Sequence, residues 1–232
     1  MRIFLFLVAL IASVILVGNV WSKSVEDVVS EVSPLVVQVG TWDEEFNKLI
    51  PAGSGFIATP TGQVLTASHV ISIDDPRALK FQGNITIMAW GGILVDTRRD
   101  AALVNFGDGG KAKFPCLKYG STRDLRVGQE VLVFGFPFSS SFKEGGPTVT
   151  RGIISTLNRT LGGSPSRYIQ VDAVVNPGSS GGPVVTLDGK VIGIVYAMMT
   201  SSGSNAGINL VIPIDDMLDL LPLIEETVDG AK

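Results

Sequence analysis

Residues Asn176 to Pro183 read NPGSSGGP, and the fold turns on how this octet is interpreted. A Gly/Ser cluster is most often a plain turn. The same letters fit G-x-S-x-G, the strand-to-helix elbow on which α/β-hydrolases expose a nucleophilic serine. They also fit a nucleophile loop in which glycines let backbone N–H groups face a bound carbonyl. Chain order separates the last two. An α/β-hydrolase places its acid and histidine after the serine. Here no histidine follows Ser180, and the only one in the chain, His69, lies far upstream. The residues after Ser180 also carry a β-hairpin pattern, not a helical one.

Working outward, His69 sits in VLTASHVI, at the end of an apolar strand where a cleft-lining residue belongs, with small Ala67 and Ser68 leaving its ring room. An acid comes next, in DTRRDAALVNF. Asp100 abuts the apolar run Ala101 to Val104, which suits a buried carboxylate that must orient an imidazole, and it is preferred. Asp96, in the same loop, is the rival. The order His, Asp, Ser is that of chymotrypsin-type triads.

The rest of the chain supplies strands. The first group of Val- and Ile-rich runs is Leu35–Gly40, Gly55–Ala58, Val64–Ala67, Ile85–Trp90, Ile93–Asp96 and Ala102–Phe106. A second follows at Glu130–Phe136, Thr148–Leu157, Tyr168–Val175, Pro183–Thr186, Val191–Met199 and Gly207–Pro213. Turn signals such as Thr61-Gly62 and Asp188-Gly189 bound them. A short helix is expected over Val25 to Val32 and a terminal one over Ile214 to Ile224. The glycine-bearing stretch Gly107 to Gly128 is the natural connector between the groups. Many short strands at about ten-residue spacing predict an all-β sandwich or barrels. The 27 glycines and 12 prolines agree with many turns.

Taken together, the stretches EVSPLVVQV, GSGFIATPTGQVLTASHVI, DTRRDAALV, LRVGQEVLVFGFP, TVTRGIISTLNR, QVDAVVNPGSSGGPVV, LDGKVIGIVYA and INLVIPI resemble the HtrA (Deg) family of trypsin-like serine proteases. The resemblance runs from about Val32 to Ile214. It implies two six-stranded antiparallel β-barrels, the first at about 33–110 and the second at about 126–213, with the active site between them and a C-terminal helix at about 214–224. It makes Ser180 the nucleophile, His69 the general base and acid, and Asp100 the residue that holds the imidazole tautomer. Backbone N–H groups of Gly178 and Ser180 would form the oxyanion hole. Val175, Tyr196, Ala197 and Met198, all uncharged, would line the specificity pocket beside Val174, favouring Val, Ala, Ile or Leu before the scissile bond. Arg159 would help order the region around the oxyanion hole. The resemblance also suggests a homotrimer, with Trp21, Trp42 and Phe46 as candidate contacts. Family members usually carry PDZ domains after the protease. Too few residues follow Ile214 here for one, so none is expected.

The function expected is hydrolysis of peptide bonds in unfolded or misfolded extracytoplasmic proteins through an acyl-enzyme. Two rivals stand beside it: a processing protease with one partner substrate, and a catalytically silent peptide-binding member of the fold. Composition narrows the other classes. The chain is 45% hydrophobic, against disorder, and its net charge of −4 offers no basic excess for nucleic acid. Cys116 is the sole cysteine, so no intramolecular disulfide forms, and no His/Cys cluster offers a metal site. No cofactor is expected. Residues 1–22 read as a signal peptide or membrane anchor, since Ile3 to Val17 is apolar and uncharged sequence continues to Ser22. Residues 3–21 would then meet the membrane, and the protease domain, 23–232, would lie outside the cytoplasm: periplasmic, secreted or anchored.

Overall fold

In the computed structural model, residues 23–72, 77–89, 93–107, 112–139, 141, 145–162, 166–201 and 204–221 are described. The candidate leader at 1–22, with Trp21, lies outside them. No helix among the described residues is long and apolar enough to cross a membrane.

The described chain opens with helix α1 (Val25–Val32), started by a reciprocal cap. The Ser24 hydroxyl accepts the Asp27 N–H at 3.1 Å, and the Asp27 carboxylate accepts the Ser24 N–H at 3.1 Å. Val28 and Val32, four apart on one helix face, are buried.

Two antiparallel sheets follow. The first contains β1 (Val36–Asp43), β2 (Lys48–Thr59), β3 (Gln63–Thr66), β4 (Arg77–Phe81), β5 (Ile85–Met88), β6 (Ile93–Asp96) and β7 (Ala101–Asn105). Their spatial order is β5-β4-β1-β2-β3-β7-β6. This is seven strands where the sequence predicts six. The additional one, β4, reads RALKF, with Ala78 and Leu79 buried side by side instead of alternating, so it lacks the period-two signal.

The second sheet contains β8 (Lys118–Tyr119), β9 (Glu130–Gly135), β10 (Thr148–Thr160), β11 (Arg167–Val171), β12 (Pro183–Thr186), β13 (Lys190–Ser201) and β14 (Ser204–Pro213). The order β12-β9-β10-β11-β14-β13 closes on itself through β12–β13 pairing, a six-stranded barrel with no free edge. Short β8, inside the expected connector, adds in parallel to β13. The predicted run to Val175 stops at Val171, because the Asp172 carboxylate takes the Ile153 N–H at 2.7 Å in place of a ladder bond. The expected terminal helix is a 3₁₀ turn, Ile214–Leu220, and residues 222–224 lie outside the described ones. Pro222 accounts for the stop: the residue before a proline avoids the helical region, and Leu221 is extended at φ −81°, ψ 127°.

One buried cluster runs through both sheets, joining Val37, Phe56 and Leu65 to Leu132, Phe134 and Ile194, with Met217 of the terminal turn. Each such side chain contributes roughly 1.5–3 kcal/mol on burial. The shared core sets β1 and β2 against β9, and Ser54 of β2 reaches the Ser180 loop beside that contact.

Candidate active site

The first half of the site is made of side-chain hydrogen bonds. Strand β3 ends at Thr66, and a 3₁₀ turn, Ser68–Val70, lifts His69 so that its side chain is 46% exposed. The β6–β7 hairpin delivers Asp100 opposite it, in a left-handed conformation, φ +52°. His69 Nδ1 lies 2.7 Å from Asp100 Oδ2. Asp100 Oδ1 accepts the His69 N–H at 2.9 Å and the Ser68 hydroxyl at 2.8 Å. The Ser68 N–H donates to the Asp100 carbonyl at 3.2 Å. The hydrogen bond to Asp100 raises the His69 pKa above its ordinary 6.5, against the opposing pull of burial. Burial pushes the Asp100 carboxyl up, but the bonds from His69, Ser68 and the His69 amide together hold it below 3.8. The rival acid, Asp96, turns away and pairs with Arg99 at 2.7 Å.

The second half is made of backbone. Gly178 (φ +97°) and Gly181 (φ +80°) take conformations that suit glycine, in places no Cβ fits. A Cβ on Gly178 would lie 2.6 Å from the Phe136 carbonyl oxygen, and one on Gly181 2.3 Å from the Ser54 carbonyl oxygen. The Ser179, Gly181 and Gly182 N–H groups donate to Asn176, Val195 and Ser179 carbonyls at 2.8–3.0 Å. The N–H groups of Gly178 and Ser180 donate to no acceptor among the described residues. The Pro177 carbonyl is held by the Phe138 N–H at 3.0 Å. Because a trans peptide points its N–H opposite its C=O, this fixes the Gly178 N–H away from Phe138. Two such N–H groups beside one serine are the kind of donors that a developing oxyanion requires.

The halves meet closely. The Ser54 N–H donates to the Ser180 carbonyl at 2.8 Å, and a Cβ on Gly181 would lie 2.7 Å from Ala67 N, two residues before His69. Tyr196 touches both: its ring meets His69 edge-on at 6.3 Å between centroids, and its carbonyl accepts from Ser180 Oγ at 3.5 Å. That last contact is at the outer limit for a hydroxyl bond, so the Ser180 side chain is weakly held.

The remaining candidates are less uniform. Val175 is 3% exposed and belongs to the second barrel's core, with Met198 packed on the same cluster. Val174 beside it is exposed. Ala197 and Met198 are half-buried on β13. Arg159 lies on β10 and donates to Gln170 Oε1 from Nε at 3.0 Å and from Nη2 at 2.7 Å, on the barrel wall and not at the 176–182 loop. Trp42 is the last residue but one of β1, and Phe46 is exposed in the turn that follows. Burial pushes the Cys116 thiol up, away from a nucleophilic thiolate. No group of three His, Cys, Asp or Glu gathers among the described residues.

Sequence reasoning missed Ser54. It is fully buried, donates to the Gly178 carbonyl at 2.7 Å and accepts the Phe136 N–H at 2.8 Å. The signal was its place in AGSG, with glycines on both sides where backbones approach. Ser68 was read only as a small neighbour.

Comparison with known proteins points one way. Residues 53–194 match the family model of the trypsin-like peptidase domain. The chain is 38% identical over 206 residues to serine protease HTRA1 of Xenopus tropicalis, covering 85% of this chain and 42% of that protein. It is 38% identical over 170 residues to a probable periplasmic serine endoprotease, DegP-like, of Rickettsia conorii, covering 72% of this chain and 32% of that one. This chain therefore spans less than half the length of either relative. Among solved structures, the HtrA-type protease AlgW with a tripeptide aligns at TM-score 0.70 and 30% identity, over 85% of this chain and 62% of that one.

Proposed function

The chain belongs to the trypsin-like serine proteases of the HtrA family, and from that premise we propose that it is a serine endopeptidase acting through Ser180, His69 and Asp100. The observation that carries this reading is the 2.7 Å His69–Asp100 contact set against a serine loop with two unclaimed N–H groups.

With Nδ1–H donated to Asp100, the neutral imidazole keeps its Nε2 lone pair free to accept a proton. Ser180 Oγ adds to the scissile carbonyl carbon while its proton passes to His69 Nε2. The carbonyl oxygen becomes an oxyanion held by the Gly178 and Ser180 N–H groups. The C–N bond then breaks, the amine leaves with the proton from His69, and an acyl ester remains on Ser180. Water repeats the sequence and releases the acid. The long Ser180–Tyr196 contact fits a resting site, since catalytic hydrogen bonds commonly tighten only with substrate bound.

The substrate class proposed is unfolded or misfolded extracytoplasmic protein. Ala197 and Met198 carry no charge, and a buried substrate Lys or Arg beside them would stay unpaired at a cost of several kcal/mol. Aliphatic side chains gain about 0.8 kcal/mol per buried CH₂. Cleavage is therefore expected after Val, Ala, Ile or Leu. The location rests on the apolar residues 3–17 and on relatives named as periplasmic. Assembly as a homotrimer through Trp42 and Phe46 belongs to the same reading.

The decisive experiment is labelling the purified protein with a fluorophosphonate and mapping the modified peptide. The expected result is a single adduct on Ser180 and loss of casein cleavage. An adduct on Ser179, or no adduct with no cleavage, overturns the assignment.

A further inference from the structure

Four hydrogen bonds converge on Arg99, the residue before Asp100. Its N–H donates to Asp96 Oδ1 at 2.9 Å and its Nε to Asp96 Oδ2 at 2.7 Å. Its Nη1 donates to Asp219 Oδ1 at 2.5 Å and to the Asp216 carbonyl at 2.7 Å. The first pair closes the β6–β7 hairpin on itself. The second pair carries the hairpin across to the 3₁₀ turn that follows β14 of the other barrel.

That turn is a firm anchor. Ile214 and Met217 are fully buried. The Asp215 carboxylate accepts the Thr122 N–H at 3.0 Å and the hydroxyls of Thr122 and Ser121. Because Asp219 is 68% exposed, its charge attraction to Arg99 contributes little by itself. What the contact supplies is geometry, since a planar guanidinium presents its donors in a rigid fork.

Asp100 needs such geometry. Its left-handed backbone, which Asp tolerates better than most non-glycine residues, is still uncommon and is kept here in the turn between β6 and β7. Relaxing the hairpin toward negative φ would swing the carboxylate away from His69. We propose that Arg99 is a positioning residue, which ties the hairpin to the second barrel through Asp219 and the Asp216 carbonyl and so holds Asp100 against His69. The tie spans the two halves of the molecule one residue from the triad acid, so it also sets where the His69–Asp100 pair stands relative to the Ser180 loop.

The kinetic test of this role rests on the protease reading, but a spectroscopic test does not. His69 is the only histidine, so the imidazole gives one unambiguous set of NMR signals. The ionisable groups facing its ring are Asp100 and, edge-on, Tyr196. In Arg99→Ala the Nδ1 proton signal should move away from its hydrogen-bonded position and His69 should titrate closer to free imidazole. The turnover number per fluorophosphonate-titrated site should fall about tenfold, with KM unchanged, as small misplacements of catalytic groups do. Arg99→Lys should recover only part, since an ammonium cannot reproduce the fork. Asp219→Ala should show the same changes, smaller, and add little when combined with Arg99→Ala. A fall in melting temperature with the imidazole signals, titration and turnover all as in wild type overturns the proposal. Should Arg99→Ala fail to fold, the same readouts on Asp219→Ala decide it. Wild-type protein that neither labels nor cleaves overturns the protease reading, while the imidazole signals still judge Arg99.

Discussion

The two halves of the site are built from different materials. On the first sheet, His69 and Asp100 are held by side chains: three bonds on one carboxylate, with Ser68 and the His69 amide as partners. On the second barrel, the Ser180 loop is held by backbone, with glycines at φ +97° and +80° packed directly on neighbouring carbonyls. The difference follows from what each half must present. An imidazole must be aimed and kept in one tautomer, which takes a hydrogen-bonded carboxylate. An oxyanion must be met by rigid N–H groups, which takes a loop whose shape tolerates no Cβ. The first half, like the Ser180 side chain itself, should therefore lose chemistry before stability when it is altered, and the backbone of the Ser180 loop should lose shape and chemistry together.

The largest effect expected is from Ser180→Ala, which removes the proposed nucleophile and leaves the loop's backbone intact. Loss of the corresponding serine in subtilisin costs roughly six orders of magnitude in kcat. A comparable loss is expected in a casein or peptide assay, with an unchanged melting temperature. Ser179→Ala should keep most activity, and the reverse outcome would move the nucleophile by one residue. Next comes Asp100→Asn, expected to lower turnover about 10⁴-fold because the wrong imidazole tautomer is favoured. Asp96→Asn should fall far short of that, since Asp96 reaches Arg99 and not His69. Equal losses from the two would erase the distinction between acid and scaffold.

On the backbone side, Gly181→Ala places a Cβ 2.3 Å from both the Ser54 carbonyl and the Thr66 hydroxyl, at a φ that itself costs about 1–2 kcal/mol. More than about 2 kcal/mol of destabilisation is expected in chemical denaturation, together with loss of fluorophosphonate labelling. Ser54→Ala should be milder. It leaves the Gly178 carbonyl and the Phe136 N–H without their partner, at about 1–3 kcal/mol. Labelling should slow as the Gly178 peptide loosens. If Ser54→Ala slowed labelling without loss of stability, the second half would behave like the first and the contrast would fail.

The sequence made one side of this contrast easier to read than the other. The pairing of His69 with Asp100, and the nearness of the Ser180 loop, were legible because the chain has one histidine and an acid, Asp100, abutting an apolar run, both upstream of a Gly/Ser octet; their catalytic roles belong to the proposed function. Most strands were legible from Val- and Ile-rich runs between turns. Strand β4 was not, because its buried residues are adjacent and its ends are Arg77 and Phe81, so it carries no alternation. Ser54 and Arg99 were missed for a different reason. Their partners lie 124 and 120 residues away, at Gly178 and Asp219; the glycines flanking Ser54 mark a close backbone approach but not its partner, and nothing local marks Arg99. The terminal helix was overread: the apolar spacing of Ile214 to Ile224 is helical, but Pro222 inside it forbids the continuation.

The smallest effect is in pH, and it tests the side-chain half alone. The bond to Asp100 raises His69 above 6.5, so protonated His69 contributes stability that is fully present below 6.5 and fades as pH rises through the raised value. Asp100, held below 3.8, contributes stability that is present above that value and is lost as pH falls through its lowered one. Between these limits the pair should be at its firmest. Catalysis runs in the opposite sense from the His69 stability contribution, because the base must be neutral to accept the Ser180 proton. The acid limb of kcat/KM should therefore have its midpoint above 6.5, where the same imidazole titrates by NMR. In Asp100→Asn the charge is lost and an amide NH2 can take the place of the oxygen that faces Nδ1, so both the imidazole titration and the residual acid limb should shift to lower pH. The two midpoints should move in step, since one group produces both. A wild-type limb at or below 6.5, or one that stays fixed in Asp100→Asn while the imidazole shifts, would show that a group other than the His69–Asp100 pair governs the rate.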